Sequence, residues 1–165
     1  MRANILGRAA PKQKNPKPEK DAVQLLKDDH REVEGWFEDF EKSRSEKKKA
    51  DLAARICKAL TVHAQIEEEM FYPAYLAATE DDEMHDEAWV EQDGAKKLIA
   101  EIEKGPDQEM FDAKVYVLSE MIKHHVKEEE KRDGMFARAR KSDMNLEELG
   151  AAMAARKKEL MAKNI

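Results

Sequence analysis

Apolar residues return every three to four positions along four long stretches of the chain, the spacing of a helix that buries one side. The first stretch runs Val23, Leu26, His30, Val33, Phe37, Phe40, and the second Leu52, Ile56, Ala59, His63, Ile66, Met70, with Glu67 beside Ile66 on the same face. The third runs His85, Ala88, Gln92, Ala95, Ile99, Ile102, and the fourth Phe111, Val115, Leu118, Ile122, His125, Glu129. Every stripe carries a polar residue where an apolar one is expected. Four amphipathic helices of this kind predict an all-α fold, an up-down-up-down four-helix bundle whose antiparallel neighbours bring these central positions to a similar height.

Local signals set the expected boundaries. The first helix should begin near Asp21 and end about Lys42, before Ser43 and Ser45. The second should run from Glu46 to Ala78, kinked by Pro73 in its last turns. The acidic stretch Glu80 to Glu83 suits the start of the third, Gly105-Pro106 closes it, and Asp107 is the candidate N-cap of the fourth, which should reach Lys131. After the break at Asp133-Gly134 a fifth helix is expected, with Asn145 and Glu148 forming a capping box. Leu146, Leu149, Met153 and Leu160 give it one apolar side, so it should pack on the outside of the bundle.

Composition agrees with this reading. Charged residues make up 40% of the 165, aromatics 6%, and there are only six Gly and five Pro, a balance that favours long solvated helices over sheets. The length predicts one folded domain, divided into a tail over 1–20, a bundle over 21–140 and a packed C-terminal helix over 141–165. No window reaches the roughly 18 apolar residues of a membrane span, and no secretory signal opens the chain. The expectation is a cytoplasmic protein with no membrane partner. One cysteine, Cys57, excludes an internal disulfide and reads as a small buried hydrophobe. Net charge is −6, yet Arg2, Arg8, Lys12, Lys14, Lys17 and Lys20 face one acid, Glu19, in the first twenty residues. Pro11, Pro16 and Pro18 keep that segment from helix, so it is expected to be a flexible basic extension. Nothing after it offers a basic or aromatic surface for nucleic acid.

The candidate chemistry lies on the stripes. His63-x-x-x-Glu67 and His125-x-x-x-Glu129 each stack a His and a Glu on one helix face. A buried carboxylate needs a partner, and two such pairs converging inside a bundle, with His30 and Gln92 at the same height, form a shell for a cation. Imidazole with carboxylate suits iron first, with manganese or zinc as alternatives, whereas calcium and magnesium prefer oxygen alone. Glu67 and Glu129 are the natural bridges between two metals. His124 lies about 100° around the helix from His125 and is not expected to take part. Glu68 and Glu128 are candidate supports for the ligands, Glu69 and Glu130 read as solvated charges, and Met70, Phe71, Tyr75 and Phe40 are candidates for the apolar wall.

The stretches LLKDDHREVE around His30, LTVHAQIEEEMFYPA around His63, VEQDGAKKLIAEIE around Gln92 and LSEMIKHHVKEEE around His125 resemble the hemerythrin-like HHE cation-binding family, in the family's order over residues 21 to 140. The resemblance implies a non-haem di-iron centre with His30, His63, Glu67, His125 and Glu129 in ligand positions. It also implies roles in sensing oxygen, nitric oxide or redox state, in iron handling, or in protection from oxidants. One departure stands out: the family's third-helix histidine falls on Gln92, whose amide oxygen is a weaker ligand for iron. His85 cannot replace it, being about 10.5 Å away along the axis; Glu91 or a water is a nearer substitute.

Three functions follow as expectations. The first is a metal-binding protein, with an asymmetric or partly occupied di-metal site, that binds oxygen, nitric oxide or peroxide or senses iron or redox state. The second is a di-iron enzyme consuming peroxide or nitric oxide, and the third a structural or interaction bundle with a degenerate site. The sequence leaves open whether the chain is a monomer or a dimer.

Overall fold

The computed structural model describes residues 20–163. Among these every regular element is helical: α1 (Ala22–Lys42), α2 (Glu46–Ile66), a π-helical segment (Glu67–Phe71), α3 (Tyr72–Thr79), α4 (Asp82–Ile102), α5 (Phe111–Glu130), α6 (Met135–Lys141) and α7 (Leu146–Ala162). Helices α1 and α2 pack as one hairpin and α4 and α5 as another, and the two close through α1 against α5 and α2 against α4. This is the expected up-down-up-down bundle. The basic extension falls on residues outside the described ones, apart from Lys20, which pairs with Asp28. No helix among the described residues is long and apolar enough to cross a membrane.

The caps show where the sequence signals act. The Asp21 side chain accepts from the Gln24 N–H at 2.8 Å and starts α1. Asn145 accepts from the Glu148 N–H at 3.1 Å and starts α7, although Glu148 returns its bond to the Asn145 side-chain amide instead of the backbone. Asp107 does not cap α5. That helix starts at Phe111, after Met110 in the left-handed region at φ 58° with no side-chain cap. Phe111 is buried, 6.2 Å from the Phe40 ring, and burying such a side chain is worth about 1.5–3 kcal/mol against about 1 kcal/mol for an N-cap. Packing wins over capping.

The kink expected at Pro73 begins earlier. Pro73 has no N–H and its ring crowds the carbonyl four residues back, so an unbroken α-helix cannot run through it. The chain widens ahead of it into the π segment, where the Tyr72 N–H bonds the Glu67 carbonyl. The break after α5 holds a short helix, α6, that the apolar period did not reveal. Its Met135, Phe136 and Ala139 are buried.

The core divides into two apolar clusters. One gathers Leu26, Ile66, Phe71, Tyr75, Ala88, Phe136 and Met153, with Met70 packed against it; the other gathers Val33, Phe40, Leu60, Ala95, Leu118 and Phe111. On α1, α2 and α4 the stripe passes from one cluster to the other at His30, His63 and Gln92. The central polar residues therefore form a layer between two dry regions. Met70, Phe71 and Tyr75 belong to the cluster on one side of it; Phe40 lies in the far part of the other cluster, at the Phe111 end, and does not wall the layer. Cys57 is buried and free, and burial pushes its thiol up to about 12, as suits a packing residue.

Candidate metal centre

Six polar side chains are buried in this layer: His30, His63, Glu67, Gln92, His125 and Glu129, with Glu67 and Glu129 only 0% and 2% exposed. They fall into two groups that could hold a cation, His30 with His63 and Glu129, and Glu67 with His125 and Glu129; within each, the donor atoms lie within 4.8 Å of one another. Glu129 belongs to both. His63 Nε2 stands 3.0 Å from Glu67 Oε1, and His125 Nε2 2.9 Å from Glu129 Oε1 and 3.9 Å from Glu67 Oε1. His30 Nε2 is 3.5 Å from Glu129 Oε1.

The donor set fits a metal cation. His30 Nε2, His63 Nε2, Glu67 Oε2, Gln92 Oε1 and both Glu129 oxygens are buried without a hydrogen-bond partner. An unpaired buried polar atom costs about 1–3 kcal/mol, and six in one layer share a single need for positive charge. The titration of the pocket says the same. Burial alone would lower the His63 imidazole, but Glu67 and Asp29 outweigh it and hold the group at about 10. His125 is raised well above its ordinary value against its own burial, chiefly by Glu129, and Glu129 is held well below the usual carboxylate range against its burial, chiefly by His125.

Outside the layer, each imidazole gives its other nitrogen to a carboxylate. Asp29 Oδ2 lies 2.9 Å from His63 Nδ1, Glu130 Oε2 2.9 Å from His30 Nδ1, and Glu91 Oε2 2.6 Å from His125 Nδ1. Such partners fix the tautomer with the proton on Nδ1, turn Nε2 inward as a free donor, and raise its basicity. Glu130, read from sequence as a solvated charge, therefore supports a candidate ligand and is itself tied to Arg31. Glu68 and Glu128, the expected supports, pair instead with Lys96 and Lys131, and Glu91 serves His125 from behind instead of taking the missing histidine's place. All three supports follow one rule: each is the chain neighbour of a buried polar residue (Asp29 of His30, Glu130 of Glu129, Glu91 of Gln92) and reaches an imidazole on an adjacent helix. An acid about 100° off the stripe, beside a buried His, Gln or Glu, is the signal that would have found them.

Further contacts shape the pocket. Gln92 donates through Nε2 to Glu67 Oε1 at 2.7 Å and to the Tyr72 hydroxyl at 2.9 Å, and that hydroxyl is 3.3 Å from His125 Nε2. Tyr72, hidden from periodicity by the π segment, is thus a buried phenol beside the group that has one imidazole. The Phe136 ring of α6 stacks on His30 at 5.8 Å and 10°. His124 is exposed, and His85 bonds Asp86 at 3.0 Å, outside the layer. A cavity of about 20 Å³ adjoins His125 and Glu129 between Ala88 and Met135 and extends to the exposed Glu87.

A helical bundle with a buried histidine and carboxylate layer of this kind defines a cation-binding protein class. The sequence profile of the hemerythrin HHE cation binding domain matches residues 21–137, and the chain belongs to that family. It is similar to a hemerythrin HHE cation binding domain-containing protein from Mycobacterium kansasii, whose crystal structure superposes with a TM-score of 0.70 at 25% identity over 86% of this chain and 87% of that one. It is also 29% identical over 110 residues, 64% of its length, to a protein of Nostoc sp. (strain PCC 7120 / SAG 25.82 / UTEX 2576) named as a DNA nickase; the chain spans 30% of that relative.

Proposed function

We propose that this protein holds an asymmetric di-metal centre, iron first, and uses it to bind a small ligand such as oxygen, nitric oxide or peroxide, or to sense iron or redox state. The observation that carries the reading is the shared carboxylate: Glu129 joins an imidazole-rich group, with His30 and His63, to an oxygen-rich group, with Glu67 and His125. Gln92 and Tyr72 border the second group, where its weaker donors favour looser metal binding and an accessible position. Bound iron would supply open coordination sites and electrons for such a ligand. The chain supplies orientation through Asp29, Glu91 and Glu130 and excludes water with the apolar clusters on both sides. The cavity beside His125 and Glu129 holds roughly one water-sized molecule, which supports a very small ligand over a larger one. Burial of the single thiol is in keeping with a reducing, cytoplasmic setting.

The same second group favours an alternative, turnover of peroxide or nitric oxide, because a phenol stands 3.3 Å from His125 Nε2 with one imidazole where the family has two. The deciding experiment measures metal per chain by elemental mass spectrometry after anaerobic iron loading, then follows the absorption spectrum on adding nitric oxide or peroxide. Stable spectral change with at least one iron per chain supports binding, and sustained peroxide loss supports the enzyme. No metal after reconstitution removes both readings.

A further inference from the structure

Helix α7 lies beyond the segment matched by the family, yet it is attached to the metal layer. Gly150, Met153, Lys157 and Leu160 recur at three, four and three residues and so share one face. Met153 and Leu160 are buried, and a Cβ on Gly150 would stand 2.5 Å from the Lys20 carbonyl and 2.6 Å from the Ala22 nitrogen. The helix therefore sits with its backbone against the start of α1. Lys157 is the one charged member of that face, as His30 and His63 are the polar members of theirs.

Its ammonium bonds Asp29 Oδ1, while the other oxygen of the same carboxylate accepts from His63 Nδ1 at 2.9 Å. Asp29 is only 11% exposed. The preceding residue, Arg156, grips Glu69 through Nε at 2.9 Å and Nη2 at 3.2 Å, and Glu69 lies in the π segment two residues after Glu67. One turn of α7 thus holds the α1 carboxylate that stands behind His63 and the segment that carries Glu67. The other two supports lack such a link. Arg31, which faces Glu130, is on the same helix as His30, and Glu91 faces, besides His125, the exposed His124 at 3.5 Å on the same helix as His125. A hollow of about 330 Å³ between α1 and α7, lined by Lys20, Asp28, Asp29, Lys157 and Lys158 among others, leaves this seam dependent on its charges and on the two buried side chains.

We propose that Lys157 is a positioning residue for the metal pocket, holding His63 through Asp29, so that docking of α7 and binding of a metal cation strengthen one another. This rests on the pocket being a metal site. A carboxylate fixed on its outer side presents a fixed acceptor to His63 Nδ1, which sets the aim of Nε2; removal of a partner bonded directly to a ligand typically costs about 10–100-fold in metal affinity, and loosening that partner should cost about the lower end of that range. Coupling of this kind is reciprocal: if α7 tightens the metal, the metal tightens α7.

The test uses the full chain and ferrous iron under anaerobic conditions, with a competing chromogenic chelator to read affinity and hydrogen exchange to read α7. Lys157→Met should weaken the tighter iron by about tenfold or more, and Lys157→Arg should restore most of it. Iron should slow exchange in α7 of the unaltered chain and have little effect on α7 in Lys157→Met. Equal iron affinity in Lys157→Met and the unaltered chain would overturn the proposal. If Lys157→Met fails to fold, exchange in the unaltered chain decides, and an α7 indifferent to iron would overturn it. Failure of the unaltered chain to bind any metal would instead sink the proposed function; the positioning role is then read from the His63 Nδ1 nitrogen resonance of metal-free protein, which must move in Lys157→Met and return in Lys157→Arg.

Discussion

Gln92 and Glu67 are joined by a 2.7 Å hydrogen bond that leaves the amide oxygen of one and the second carboxylate oxygen of the other facing inward without partners. The bond occupies one Glu67 oxygen, which would otherwise be free for metal. An imidazole at position 92 would release that oxygen and add a nitrogen donor beside His125. Gln92→His is expected to raise bound iron toward two per chain, measured by elemental mass spectrometry. Gln92→Leu should lower metal-free stability by about 1–3 kcal/mol, because Glu67 and the Tyr72 hydroxyl lose their donor; urea unfolding reads it.

Glu129 is the only side chain common to both donor groups. Glu129→Ala should therefore depress cation binding at both groups, whereas His30→Ala should spare the group built from Glu67 and His125. In the unaltered protein a metal present at a hundredfold above its Kd adds about 2.7 kcal/mol, or roughly 5–10 °C in Tm for a chain of this size. A chelator should abolish that increment, and in Glu129→Ala it should have almost nothing to abolish.

His63 titrates at about 10 against an ordinary 6.5, so in chelated protein its pairing with Glu67 and Asp29 stabilises the fold fully below about 6.5 and is lost as pH rises through about 10. Urea midpoints of metal-free protein should fall between those limits. Metal takes the proton's place, so loaded protein should hold its midpoint over the same range, and metal affinity should climb with pH as the imidazoles shed protons.

Glu130 and Glu128 are two residues apart but differ in role. Glu130→Gln removes the carboxylate behind His30 and should weaken metal binding by about 10–100-fold with the helical content unchanged. Glu128→Gln disturbs only a surface pair with Lys131 and should leave affinity where it was. Chelator competition on the two variants gives the comparison directly.

The stripes were legible because a buried polar residue interrupts an apolar period in a way that spacing alone reveals, and His30, His63, Glu67, Gln92, His125 and Glu129 do come together in one layer. What surrounds them was not legible for three physical reasons. Asp29, Glu91 and Glu130 lie just off the stripe and reach across to another helix, so a reading confined to one helix assigns them to solvent. Helix α6 is seven residues long, too short for a period, although its Phe136 lies against His30. The start of α5 was decided by burial of Phe111 in the far cluster, a tertiary effect that outweighed the capping residue in the local sequence.

The π segment changes the phase of the chain. In a regular α-helix, residue 72 would point about 140° away from residue 67; with the Tyr72 N–H bonded to the Glu67 carbonyl, the two come over one another, and Gln92 bonds both. Five residues thus fill the turn that four fill in a regular α-helix, and the wider turn keeps the phenol in the pocket despite the extra one. Substitution at the exposed Glu69 would leave that spacing intact. Loss of one residue between 67 and 71 would set the tyrosine four positions after Glu67 in a regular α-helix, still on its face, but would bring the Pro73 ring against the carbonyl four residues back, so this stretch tolerates changes of side chain far better than changes of length.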